Sequence, residues 1–176
     1  LFRSLLAFYP AMVKYIPFPV SNQLMIRLLV YSLISIFFIT PQFIFSHLFS
    51  VTGILLAVVN LIHISTSYTA FKKLDAGVAY SIFYIYHLFI ILFSNNPFRF
   101  RYLLPLIGIA LLTQNSWKTL QLTSSEKITG FTAIALSTIT EAWIYFIVKN
   151  LHSPNKWNAI FIAYFLPGLI ITFYLY

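Results

Sequence analysis

Residues 60–94 read NLIHISTSYTAFKKLDAGVAYSIFYIYHLFIILFS, two apolar helical runs joined by a charged turn that holds Lys72, Lys73 and Asp75. In the first run Asn60, His63 and Ser67 follow one another at intervals of three and four, with Gly53 seven residues upstream. In the second, Gly77, Ser81, Tyr84 and His87 step by four, three and three. Residues so spaced share one helix face. In lipid such a face is expected to turn inward, because hydrocarbon offers polar groups no hydrogen bonds.

Composition identifies the solvent. Of 176 residues, 60% are hydrophobic and only 8% charged, against roughly 25% charged in soluble domains. Eleven basic and three acidic side chains cannot cover a soluble surface of this size. The chain therefore reads as an all-α integral membrane protein that crosses a bilayer several times. The net charge of +8 does not point to nucleic acid. The basic residues stand singly or in pairs at the ends of apolar runs, where they anchor helices among headgroups. With no cysteine, disulfides and cysteine-zinc sites are excluded. No HExxH-like spacing appears, so neither a metal nor another cofactor is expected.

Outward from the central hairpin, the first span is expected to end near Ile16, with Pro10 inside it and Arg3 near its start. The second runs from Gln23 to Thr40 behind a Ser21-Asn22 cap, with Arg27 one turn in and able to snorkel. The third covers about His47 to Phe71, and the fourth runs from Asp75, a plausible N-cap, to Ser94. After the Asn95-Asn96-Pro97 loop, a short fifth run covers Tyr102 to Thr113 and contains Pro105. Gln114 to Lys127 is the longest polar stretch and ends in Thr123-x-x-Glu126, a capping box that starts a helix. The sixth span is Ile128 to Val148; the seventh begins at the Ser153-Pro154 cap and reaches Tyr176. The chain is expected to continue beyond both of its ends.

A weak internal repeat suggests two units. Laying Ala7 on Thr138 sets Pro10 on Glu141, Lys14 on Tyr145 and Ile16 on Ile147. Residues 1–114 would then form a first five-helix unit, 115–127 a linker, and 128–176 the first two helices of a second unit. An odd number of spans inverts the second unit, the symmetry many secondary transporters use.

Two stretches, YTAFKKLDAGVAYSIFYIYHLFIILFS and LLAFYPAMVKYI, resemble the third-to-fourth and first spans of the drug/metabolite transporter superfamily, the EamA-like proteins. His87 departs from that pattern, standing where many relatives carry proline. The resemblance implies an inverted five-helix repeat and a carrier; an intramembrane enzyme is not expected, because Glu141 and two histidines supply neither a nucleophile with its base nor a metal set. The resemblance also implies a small polar metabolite as substrate, moved by alternating access through a cavity between two helical units.

Seven residues are candidates for that site. Glu141 lies about thirteen residues into the sixth span, with Thr138 and Tyr145 on its face. A carboxyl there costs about 2.5–3.5 kcal/mol to insert, so it requires a partner, water or a proton. It either binds substrate and couples protons or makes a structural hydrogen bond. His63 and His87 either relay protons or bond a neighbouring helix. Asn60 is open to the same two readings. Lys14 either pairs with an anionic substrate or with Glu141, or snorkels. Tyr84 shares the His87 stripe, and Tyr86 falls about 160° away, so at most one of the two faces a site. Gly77, Ala79 and Ser81 suit close helix packing. The alternative function is a non-transporting membrane subunit whose polar residues only join helices. Basic residues in alternate loops nearly balance, and the family resemblance alone implies a cytoplasmic N-terminus.

Overall fold

The computed structural model describes residues 9–94, 99–119 and 122–175. These form α1 (Tyr9–Tyr15), α2 (Val20–Ser35), α3 (Pro41–His47), α4 (Val51–Lys73), α5 (Ala76–Phe83), α6 (Tyr86–Phe93), a 3-10 turn (Phe100–Leu103), α7 (Leu104–Thr119), α8 (Ser124–Asn150) and α9 (Lys156–Leu175). No strand occurs among the described residues. The beginning of the expected first span and the Asn95-Asn96-Pro97 loop lie outside them.

Four helices are long and apolar enough to cross a bilayer: α4, the α5–α6 run Ala76–Phe93, α8 and α9. Val20–Ser35 and Leu104–Gln114 are apolar but shorter. The expected second span is divided. Helix α2 starts at Val20, without a side-chain cap, and ends at Ser35. Thr40, in extended conformation, then starts α3 with Pro41 in its first turn. Pro41 lacks the N–H that a continuous helix would need.

The start of α4 shows why the third span begins at Val51 rather than at His47. Ser50 Oγ donates to the His47 carbonyl at 2.7 Å and accepts the Gly53 N–H at 3.1 Å. This is an N-cap serine serving the third residue of its helix. The chain turns so tightly there that a Cβ on Gly53 would collide with the His47 carbonyl oxygen. Gly53 belongs to this turn rather than to the polar stripe.

Other helix ends follow local chemistry. The capping box at α8 forms as expected: Thr123 Oγ1 accepts the Glu126 N–H at 3.3 Å, and Glu126 Oε2 accepts the Thr123 N–H at 3.1 Å. At α9 the cap is Asn155, whose Oδ1 accepts the Asn158 N–H at 3.1 Å, so the start moves past the expected Ser153-Pro154. Asp75 holds the cap position of α5 without a capping hydrogen bond. The polar stretch before α8 is largely helical, since α7 continues to Thr119. His152, just past α8, has φ 47°. That left-handed position costs a residue with a Cβ roughly 1–2 kcal/mol, and glycine usually fills it. His152→Gly is expected to raise stability by about 1 kcal/mol, measured by reversible unfolding in mixed micelles.

By packing, the chain divides into two compact units, residues 1–17 with 66–142, and residues 18–65 with 143–176. In the first, α5 packs against α1 and α7, and Val13, Tyr68, Phe71, Leu74, Ala79 and Ile134 are buried. Ser67 and Ser137, both buried, share a hydroxyl hydrogen bond of 2.6 Å that ties α4 to α8. In the second unit, Ile44 of α3 and Leu48 just past its end, Leu56 and Val59 of α4, Ile147 of α8 and Phe161 and Ile162 of α9 make one apolar core. Helix α2 lies along α9, with Leu28 against Gly168. Asn158 Oδ1 accepts the Thr40 N–H at 2.7 Å, which ties α9 to the start of α3.

Candidate functional site

The first polar stripe turns inward as expected. Asn60, His63 and Ser67 on α4 are 4%, 8% and 3% exposed. Their chemistry differs from one another. Asn60 Nδ2 donates to the Ala163 carbonyl of α9 at 2.9 Å, while Ser67 meets Ser137. Both are bonds between helices. His63 is buried and partnered.

The second stripe does not turn inward. Gly77, Tyr84 and His87 are exposed, and a Cβ built on Gly77 meets nothing within 4 Å. The expected close packing is therefore found at Ala79, which is fully buried, and not at Gly77. The run also changes pitch in the middle. The Ile85 N–H donates to Ile82, His87 to Tyr84 and Leu88 to Ile85, so three-residue bonds replace the four-residue ladder between α5 and α6. That tightening undoes the expected separation of Tyr84 and Tyr86. Their ring centroids are 6.1 Å apart, and both lie against His87, at 5.4 Å and 3.9 Å. Tyr80 joins the group through a 2.9 Å hydroxyl bond to Tyr84.

Lys14 belongs to another cluster in the same unit. Its ammonium donates to the Leu74 carbonyl at 3.0 Å and lies 3.7 Å from Asp75. Lys72 answers from the end of α4, donating to the carbonyls of Lys14 and Ile16 at 3.2 Å and 2.6 Å. Each lysine thus closes the carbonyl end of the other's helix, where the peptide dipoles favour a cation. The carboxylate beside Lys14 is that of Asp75.

Glu141 is half-buried and partnered. It closes a polar run in the middle of α8, Ser137-Thr138-Ile139-Thr140-Glu141. Thr138 and Thr140 donate to the carbonyls one turn back, at 2.8 Å and 2.9 Å. Their hydroxyls are therefore satisfied within the helix, and Glu141 brings the one ionisable group to this run. Tyr145 is exposed, its ring edge against Phe146. Of the seven candidates, the structure brings Tyr84 to His87 and places Asn60 and His63 on one buried face. Lys14 has its own partners in Leu74 and Asp75.

No family model matches the chain, and neither does any curated protein or solved structure. Nothing in these comparisons identifies an EamA-like family, so that resemblance rests on the quoted stretches alone.

Arg27 does more than snorkel. Arg27, half-buried on α2, donates to the Tyr164 hydroxyl at 3.3 Å and stands 5.7 Å from the centre of the Tyr31 ring. Tyr31 and Tyr164 also pack on each other, with centroids 4.9 Å apart. The signal for it was local: Tyr31 follows Arg27 by four residues, one helical turn.

Proposed function

We propose that the chain is a multi-pass membrane carrier that moves a small polar metabolite by alternating access, as its resemblance to the drug/metabolite transporters implies. An inverted repeat of five-helix units, with about seven helices in this stretch of chain, belongs to the same proposal. The observation that supports it is Glu141. A carboxyl half-buried within a 27-residue spanning-length helix is costly to keep in a bilayer, and such groups usually mark a substrate or proton path. His63, buried on α4, and Arg27 are further groups able to take part.

A second reading has specific support. Asn60 and Ser67, two members of the inward stripe, join helices to one another, which is what a non-transporting membrane subunit would require.

The absence of native cysteine makes the test direct. Single cysteines replace Glu141, His63 and, as a control on the exposed side of α8, Ile139, in the full chain in membranes. A small charged thiol reagent is then applied from each side. Labelling of Glu141→Cys and His63→Cys, at least tenfold faster than Ile139→Cys, is the expected outcome. If both stay unlabelled in folded protein, no water path reaches them, and the subunit reading replaces the carrier.

A further inference from the structure

We propose that Asn60 is a latch on a proline hinge in α9, holding the angle at which the second half of that helix leaves the packed unit. The inference does not depend on the carrier reading.

The argument begins with a missing atom. Pro167 sits inside α9 and has no N–H, so the carbonyl four residues earlier loses its helical donor. That carbonyl belongs to Ala163. It is the one to which Asn60 Nδ2 donates at 2.9 Å. Asn60 and Ala163 are both buried, so water is not the alternative partner, and a buried carbonyl left without a donor would cost roughly 1–3 kcal/mol. The asparagine supplies from α4 the donor that proline removed from α9.

The packing changes character at the same point. Before the proline, Asn158, Ala159, Phe161, Ile162 and Ala163 are buried. After Gly168, which Leu28 touches from α2, exposure rises to 83% at Phe173 and 87% at Tyr174. A proline followed by glycine gives a helix both a broken hydrogen-bond ladder and a residue with little backbone restriction. Helix α9 is thus a packed root and a more exposed arm, joined at Pro167, which brings no N–H to the main-chain ladder. The bond from Asn60 restrains the root side of that joint, and the contact of Leu28 with Gly168 restrains the arm side. Removing the Asn60 bond takes from the Ala163 carbonyl the donor that α4 supplies, and the angle at Pro167 is then expected to vary more widely.

The test is a distance measurement between spin labels on the full chain in lipid, with cysteines at Phe173 on the arm and at Phe45 on α3 as the reference. Asn60→Leu removes the amide at similar size and is expected to at least double the width of the distance distribution. Pro167→Ala restores the main-chain donor and is expected to straighten the helix, shifting the mean distance while keeping it narrow. In the double variant the broadening should vanish, since the Ala163 carbonyl is again satisfied from within α9. A distribution unchanged by Asn60→Leu, or broadening that persists in the double variant, overturns the proposal. If Asn60→Leu does not fold, Pro167→Ala decides alone: an unchanged mean distance shows that proline sets no angle for a latch to hold.

Discussion

Gly53→Ala is expected to destabilise the protein by about 3 kcal/mol, the upper end of what overpacking costs. The added methyl would run into the His47 carbonyl oxygen, with the Leu48 carbonyl oxygen 3.0 Å away. Neither is the far end of a flexible side chain, so the backbone of the α3–α4 turn must move. The same carbonyl accepts both the N–H and the hydroxyl of Ser50, so any shift that admits the methyl also disturbs the cap of α4. Denaturant titration in mixed micelles should show the loss as a lower midpoint. Gly77→Ala is the matching control. It has open space around it and a helical backbone, so alanine should gain roughly 0.5–1 kcal/mol there.

The second large effect is expected at Gly130→Val. Glycine in α8 lets Leu74, fully buried at the turn between α4 and α5, lie against the helix. A Cβ at 130 would stand 2.8 Å from Leu74 Cδ2, 2.9 Å from its Cγ and 3.3 Å from Lys73 Cβ. Leu74 has no exposed side to move toward, and it carries the carbonyl that holds Lys14. A loss of about 2–3 kcal/mol is expected, with Gly130→Ala roughly half of that. If Gly130→Val unfolds at the wild-type midpoint, Leu74 is not pressed against α8 as described.

What could be read from the sequence was local. The capping box of Thr123 and Glu126 needs only residues three apart, and it forms as expected. The four spanning-length helices were legible in hydropathy, and the inward face of Asn60, His63 and Ser67 in periodicity. The second stripe failed because periodicity fixes which residues share a face, not whether anything packs on it. The expected separation of Tyr84 and Tyr86 assumed an unbroken 3.6-residue helix, and the bonds at Ile85, His87 and Leu88 break it. The end of α2 at Ser35 was hidden because Ile36, Phe37 and Phe38 continue the apolar run, while a turn ends the helix. Asn60 shows the limit most clearly. Pro167 announced that the carbonyl of Ala163 would need a donor, but the donor stands 103 residues away in sequence, and no local pattern connects them.

The paired lysines carry a consequence for biosynthesis. Lys14 reaches a carbonyl 60 residues further along the chain, and Lys72 reaches back over 58 and 56. At roughly 5–20 residues per second on the ribosome, that interval is about 3–12 s. Helix α1 therefore emerges, and waits, before either bond that closes its carbonyl end can exist. Until then the last carbonyls of α1 need other donors. The clasp records the arrival of the α4–α5 turn, after which the earliest described helix of the chain is secured by one made much later.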